Sequence, residues 1–440
     1  MSKARVSTRG SEAPPEGAAR GDDMAVTKRG FLKFAGGLGA ASIAAPSLAA
    51  SAPSKKPVNL AASAKPISVE ERLSRIEKAQ ALMRAQDIAA LIVEPGSAMV
   101  YFSGVRWWRS ERFTGLIIPR EGDIAVVTPF FEEPSVRESM SFGDDVRTWN
   151  EHENPFDLVA GVLKDRGLKS GRIGFEETVR YFIVDGVSRA AAKFKPVNAA
   201  PVTRACRMIK SPAELALMQT ANDITMAAYA HVHQRIEAGM TPADIAAIMD
   251  DATKAAGGAP LFSLVLLGEA SAYPHGSGKP QEVREGEIVL MDCGCSVYDY
   301  QSDISRTFVF GEPTKKQREV WNTVKRGQEI VFETAQIGTP AGAVDDAVRA
   351  YYESLGYGPG YKTPGLSHRT GHGIGMDGHE PVNFVHGEKT PLAPGMCFSN
   401  EPGIYAFGEF GVRLEDCLHI TEEGPKLFSG LSPSIDKPFS

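Results

Sequence analysis

The stretch from Ser367 to Phe384, SHRTGHGIGMDGHEPVNF, carries three of the nine histidines (His368, His372 and His379), and His386 follows just beyond. Imidazole suits both metal ligation and proton transfer near neutral pH. Gly371, Gly373 and Gly375 surround the middle histidine and allow close approach of the backbone to a site or a positive φ. A polar, glycine-rich surface loop would also contain such residues, but the acids on either side point elsewhere. Asp292, Asp303, Glu401 and Glu415 each stand at or inside an apolar, strand-like run, where a lone carboxylate is costly to bury. Acids on neighbouring strands repel unless a cation lies between them. Hard oxygen donors with one imidazole suit two divalent ions such as manganese, iron, cobalt or zinc. Two such ions can generate hydroxide and clamp a tetrahedral intermediate. Spacing alone does not show that these residues meet.

The elements that would position them divide the chain into parts. With 440 residues, the length predicts two or three domains. A net charge of −6 gives no basic footprint for nucleic acid. Five cysteines, Cys206, Cys293, Cys295, Cys397 and Cys417, lie mostly in apolar runs and form no disulfide framework.

Residues 1–66 are expected to be a disordered N-terminus containing a signal and a linker. Thr27–Lys33, TKRGFLK, precedes a weakly apolar run and a small-x-small site at Ala50-Ser51-Ala52. That is the layout of a signal peptide, with a run too short for a membrane span. The motif resembles the twin-arginine export signal with lysine in place of the first arginine, so a periplasmic location is expected, with a cytoplasmic one as the alternative. Met24 gives a shorter n-region than Met1 and is read as the start.

Residues 67–203 read as a small α/β domain. Ser68-Val-Glu-Glu71 forms a capping box, and strands follow at 89–93, 114–118, 124–128 and 172–175, with helices at 155–167 and 181–193. Arg106-Trp107-Trp108-Arg109 stands out; the tryptophan pair is either core or a substrate or subunit contact. Residues 204–440 form the second domain. It opens with a helix from Pro212 to about 237 and another from Thr241 to about 256. Strands at 261–267, 287–292 and 303–310 follow, then helices at 314–336 and 341–355, and then the histidine stretch. His231 and His233 lie two apart on the first helix and do not share a face. His275 sits alone in the turn Ala272-Tyr-Pro-His-Gly276.

The order Asp292, a ten-residue gap, Asp303, Gly371-His-Gly-Ile-Gly375, Glu401-Pro-Gly403 and Arg413-Leu-Glu415 resembles the pita-bread metallopeptidases. That family holds Xaa-Pro dipeptidase (prolidase), Xaa-Pro aminopeptidase, methionine aminopeptidase and the metal-free creatinase. The resemblance covers roughly residues 69–430, and all five ligand positions carry the expected residue type. It implies a creatinase-type α/β domain followed by a pita-bread catalytic domain (α+β). It further implies two divalent metals, manganese foremost, with cobalt, zinc or iron as alternatives. Asp292 would bind one ion, Asp303 and Glu415 would bridge both, and His372 and Glu401 would complete the other. Hydrolysis of an Xaa-Pro bond in di- or short peptides would run through a metal-bridging hydroxide, with Glu401 as proton shuttle.

His275 and His379 match the histidines that steady substrate and tetrahedral intermediate, and His368 and Arg413 match positions lining the same site. Trp107 or Trp108 could wall the proline pocket, in this chain or in a partner, since a homodimer is implied. No arginine lies between 380 and 400 to read the carboxylate of a dipeptide, so substrate length stays open. A metal-dependent lyase or another non-peptidase hydrolase on this fold is the alternative. A silent binding protein is disfavoured, because the ligand set is complete.

Overall fold

The computed structural model describes residues 57–439; the signal-like segment lies outside them. The chain begins with α1 (Val69–Ala85), β1 (Ala90–Val93), α2 (Ser97–Ser103), β2 (Gly115–Pro119), β3 (Ala125–Pro129) and α3 (Glu133–Ser139). Next come β4 (Val146–Trp149), α4 (Pro155–Asp165), β5 (Gly171–Phe175), α5 (Tyr181–Ala190), β6 (Phe194–Asn198) and α6 (Ala200–Arg207). The strands form one mixed sheet in the order β4-β3-β2-β1-β5-β6. Its central strands β1, β2 and β3 are buried along their whole length, which is why they read as apolar runs. The edge strands β4 and β6 carry half-buried and exposed residues and gave no such signal.

The cap on α1 is half of the box expected. Ser68 Oγ accepts from Glu71 N, but the Glu71 carboxylate turns to Arg75, 2.8 Å away, and accepts from Ser211 Oγ at 2.7 Å. Full capping boxes form instead at Ser211–Glu214, Thr241–Asp244 and Thr314–Gln317. Residues 57–66, read as linker, include a short turn at Leu60–Ser63. Leu60 N donates to Ala256 O at 2.8 Å, so this segment lies along the catalytic portion.

The second half comprises α7 (Pro212–His233), α8 (Pro242–Ala255), β7 (Ala259–Leu267), β8 (Ile288–Val297), β9 (Tyr300–Gln301), β10 (Ile304–Val309), α9 (Lys315–Thr334) and α10 (Ala341–Ser354). It ends with β11 (Gly371–Gly373), β12 (Glu380–Phe384), β13 (Cys397–Asn400), β14 (Gly403–Ala406), β15 (Phe410–Arg413), β16 (Asp416–Thr421) and β17 (Gly424–Leu427). One sheet runs β10-β8-β7 and a second runs β12-β11-β13-β16-β17, while β14 and β15 pair with each other. Each large sheet is backed by a helix pair. Tyr229, Val232, Ile245 and Met249 of α7 and α8 share a core with Val289, Met291 and Phe308. Trp321, Val324, Val344 and Val348 of α9 and α10 share another with Phe384, Phe398 and Leu418.

A third core joins the two halves of the chain, with Ile76, Met83 and Phe102 packed among Leu217, Met218, Cys295 and Ile374. Within it Arg75 Nη2 donates to Tyr300 Oη at 3.0 Å, and Tyr300 Oη donates to Glu214 Oε1 at 2.7 Å. The five cysteines are buried and free, as core residues.

Candidate metal centre

Asp292 was expected at the end of a strand, but β8 continues through it to Val297. The continuation is possible because Cys293-Gly-Cys295 is small: a Cβ on Gly294 would stand 2.3 Å from Ser302 O. Asp292 is thus fixed on both sides by strand pairing, opposite Ser305 on β10 and Leu264 on β7. Asp303 directly precedes β10, Glu401 directly follows β13, and Glu415 lies between β15 and β16. His372 is the middle residue of β11, opposite Asn383 on β12. The histidine stretch therefore contains a short buried strand. Asp292 within β8, three acids at strand ends and His372 within β11 converge from two sheets.

They line one cavity of about 400 Å³, together with His275, His368, Arg369, His379, Arg413, Phe262 and Gln301. His372 Nε2 lies 3.5 Å from Asp303 Oδ2 and 3.6 Å from Glu401 Oε1. Donor atoms of Asp303, His372 and Glu415 all fall within 4.8 Å of one another. His372 Nδ1 faces Gly373 O at 3.1 Å, which holds that nitrogen as the N–H and leaves Nε2 as the free lone pair. Burial, with the adjacent His379, lowers its pKa to about 3, so it is a neutral donor at physiological pH. Its ring centre is 4.0 Å from that of His379.

Burial, followed by the charges of Asp292 and Glu401, pushes the Asp303 carboxyl well above the usual carboxylate range. Glu415 is likewise pushed well above it by burial and then by Asp303. Glu401 is raised to about 8, mostly by burial, against the pull of Arg413. Such shifts are those of buried acids crowded without a counter-cation. Two of the buried carboxylate oxygens, Asp292 Oδ1 and Glu415 Oε1, have no hydrogen-bond partner. Orphaned oxygens facing a neutral imidazole and further acids are the donor set a pair of hard divalent ions requires, so the residues fit the expected metals.

One buried guanidinium ties the acids together. Arg413 donates through Nη2 to Asp292 Oδ2 at 2.5 Å and through Nε to Ser305 Oγ at 2.9 Å. Ser305 Oγ in turn donates to Glu415 Oε2 at 2.8 Å. Arg413 Nη1 reaches Tyr405 Oη at 3.3 Å, and Tyr405 Oη is 2.8 Å from His368 Nε2. Burial, with Arg413, lowers the His368 pKa to about 3.

Sequence reasoning singled out His275, His368, His379 and Arg413, and all four line the cavity. It missed Tyr405, Ser305, Phe262, Gln301 and Arg369. Ser305 was within reach of a register argument, since antiparallel pairing of the strands bearing Asp292 and Asp303 sets Ser305 opposite Asp292. Tyr405 is two residues beyond the Glu-Pro-Gly turn and gave no separate signal.

The tryptophans are not at the site. Neither lines the cavity of its own chain, so the expected wall of a proline pocket is not met within one chain. The two rings stack on each other at 4.6 Å. Trp107 packs partly against the shared core, while Trp108 is 63% exposed.

Two sheets backed by helix pairs, with acids and one histidine converging between them, define a metallohydrolase of the pita-bread class. Comparison with known proteins specifies it further. The model for "Metallopeptidase family M24" matches residues 216–422, and that for "Creatinase/Prolidase N-terminal domain" matches residues 75–209. The chain is 30% identical over 336 residues to the Xaa-Pro dipeptidase of Lactobacillus helveticus, covering 75% of this chain and 89% of that one. The crystal structure of dipeptidase PepE from Mycobacterium ulcerans superposes with a TM-score of 0.77 at 31% identity, covering 83% of this chain and 97% of that one. A prolidase from Thermococcus sibiricus superposes with a TM-score of 0.75 at 28% identity, over 82% and 97% of the two chains. The chain belongs to metallopeptidase family M24, a family of divalent-metal peptidases.

Proposed function

We propose that the chain hydrolyses the Xaa-Pro bond of dipeptides and short peptides. The observation that carries this reading is the convergence of Asp292, Asp303, His372, Glu401 and Glu415 on one cavity with two carboxylate oxygens unpartnered. The similarity to an Xaa-Pro dipeptidase and to prolidase structures supports the substrate class. These five residues would hold two divalent ions, manganese foremost, which when bound acidify a water and polarise the scissile carbonyl.

The protein's own groups do the rest. Glu401 accepts the proton of the attacking water and returns it to the proline nitrogen as the carbon–nitrogen bond breaks. His275 and His379, on the cavity wall, hydrogen-bond the substrate carbonyl and the oxyanion that develops from it. Arg413 keeps Asp292 in place and, through Tyr405, orients His368.

The test is a hydrolysis panel of Ala-Pro, Ala-Pro-Ala and Met-Ala-Ala on manganese-loaded protein, with a chelated control. Cleavage of Ala-Pro that is lost on chelation is the expected result. Cleavage of Ala-Pro-Ala as well marks an aminopeptidase, and cleavage of none overturns the reading in favour of a lyase or another non-peptidase enzyme.

Two further readings belong with this one. The lysine-containing twin-arginine-like segment, Thr27–Lys33, directs export of the folded, metal-loaded chain to the periplasm; recovery of only uncleaved protein from the cytosol would refute it. The protein assembles as a homodimer, which light scattering would detect as about twice the mass of the processed chain.

A further inference from the structure

Directly after His379, and turned away from the catalytic cavity, lies a cluster of buried charges. Glu380 is 5% exposed, as is Lys210. Lys210 Nζ donates to Glu380 Oε2 at 2.9 Å, and Arg207 Nη2 donates to Oε1 at 2.5 Å. The same Oε1 accepts from the backbone amides of Met376 at 3.0 Å and Asp377 at 3.2 Å. Arg207 also donates to Asp377 Oδ2 at 2.8 Å and to Ser97 Oγ at 3.0 Å. Ser97 Oγ closes the ring by donating to Asp377 Oδ2 at 2.6 Å. Ser97 begins α2 of the first domain, and Arg207 and Lys210 lie where the two domains join. None of these charged groups lines the catalytic cavity. Arg207, Asp377 and Glu380 line a separate space of about 100 Å³ behind it, and His379 borders both.

We propose that Glu380, gripped by Arg207 and Lys210, is a positioning residue that sets the His379 imidazole against His372 and so ties the catalytic loop to the junction of the two domains. This rests on the reading of His379 as a group that contacts substrate.

Three observations carry it. First, the loop from Ile374 to His379 is pinned at both ends. Gly373 pairs with Glu380 across a register shift in β11–β12, and Gln301 donates to Gly375 O at 2.8 Å and Met376 O at 2.6 Å. Second, the Glu380 carboxylate folds that loop onto itself by accepting two of its amides. Rotation of the carboxylate therefore moves the backbone that carries His379. Third, the cluster is ionic although the Lys210 and Glu380 side chains are almost wholly buried. Buried ion pairs are often replaceable by hydrophobic residues without loss of stability, but their fixed hydrogen-bond directions specify one geometry. A catalytic imidazole needs that kind of specification, since a displacement of about 1 Å costs up to about 100-fold in rate.

The experiment compares wild type with Glu380→Gln, Arg207→Met and Arg207→Lys, manganese-loaded for the kinetics and loaded with diamagnetic zinc for the spectra, with metal content measured in both. Val159→Ala, in the core of the first domain, is the control for loss of stability alone. Two readouts are taken: the split between kcat and KM on Ala-Pro, and the ring signals of nitrogen-15-labelled histidine. Glu380→Gln and Arg207→Met are expected to lower kcat by about 10- to 100-fold with KM within about twofold. Arg207→Lys should recover part of the loss. The His379 ring signals should shift while those of the exposed His152 stay put. Unmoved His379 signals, or a kcat loss no greater than that of Val159→Ala at equal Tm, overturns the proposal. If Glu380→Gln does not fold, Arg207→Lys is read by the same signals. Because the spectra need no substrate, wild type that fails to cleave Ala-Pro refutes the peptidase reading while leaving the positioning result to stand or fall separately.

Discussion

Arg413 and Asp292, 121 positions apart in sequence, form a buried ion pair with Nη2 2.5 Å from Oδ2. Burial works against the guanidinium charge, but Asp292 together with Tyr405, Glu415 and Glu401 outweighs it and keeps Arg413 firmly protonated. The arginine makes four contacts from one planar group, to Asp292, Ser305, Pro274 and Tyr405. Lysine can supply only a point charge. Arg413→Lys is therefore expected to lose about 1–3 kcal/mol of stability. Arg413→Met, which leaves Asp292 buried and unpaired, should lose about 3–5 kcal/mol. Urea unfolding of the chelated proteins measures both, and equal losses would show that the guanidinium's hydrogen-bond geometry matters and its charge does not.

The crowding of Asp303, Glu415 and Glu401 predicts an inversion of sign. Without metal these buried acids disfavour one another's charged forms, so the chelated protein carries a local destabilisation. Asp303→Asn removes one of the charges, and its Tm in chelator should equal or exceed that of wild type. On adding manganese, wild type should gain stability, by about 2.7 kcal/mol at 100 times Kd, while Asp303→Asn gains much less. Thermal melts with and without metal test both halves. A lower Tm for Asp303→Asn in chelator would mean that its carboxyl stabilises the empty site through hydrogen bonds.

Much of this site was legible in the sequence because acids in apolar strands are chemically anomalous. Asp292, Asp303, Glu401 and Glu415 each broke a hydrophobic pattern, and their order with His372 carried the family resemblance. What could not be read was everything that depends on register or on which surface faces the cavity. Ser305 becomes functional only through the pairing of β8 with β10, and Tyr405 only through the turn that brings β14 beneath His368. Trp107 and Trp108 show the same limit: a tryptophan pair signals contact, but sequence does not say with what, and within this chain the rings stack on each other. The edge strands β4 and β6 escaped notice because half-exposed strands lack an apolar run. Arg207, Lys210 and Glu380 gave no local signal that they pack together.

Glu380 gives a pH prediction. Burial alone would raise its pKa, but Lys210 and Arg207 outweigh burial and hold it at about 2, against an ordinary value of about 4.3. A folded-state pKa below the unfolded value means stability that is fully present above about pH 4.3 and lost as pH falls towards 2. Glu380→Gln should thus be less stable than wild type at pH 7 by about 3 kcal/mol. The gap should narrow steadily between about pH 4 and pH 2. Urea midpoints of the two proteins across that range check it. A gap that does not change with pH would mean that the carboxylate charge is not what Lys210 and Arg207 stabilise.

Gly375 tests the same cluster sterically. Its backbone does not lie in the left-handed region, so a side chain would meet no conformational objection. A Cβ there would instead stand 2.8 Å from both Glu380 Oε1 and Lys210 Cε and 2.9 Å from Glu380 Oε2. Both neighbours are buried and hydrogen-bonded, so neither can move aside without breaking the ion pair. Overpacking of this kind costs about 1–3 kcal/mol, and the displaced carboxylate should also lower kcat on Ala-Pro. Gly430, which has nothing within 4 Å of a built Cβ, provides the comparison. Gly430→Ala should stay within about 0.5 kcal/mol of wild type with full activity. If Gly375→Ala were equally silent in unfolding and in kcat, the close packing of this loop on the Glu380–Lys210 pair would not be what fixes its conformation.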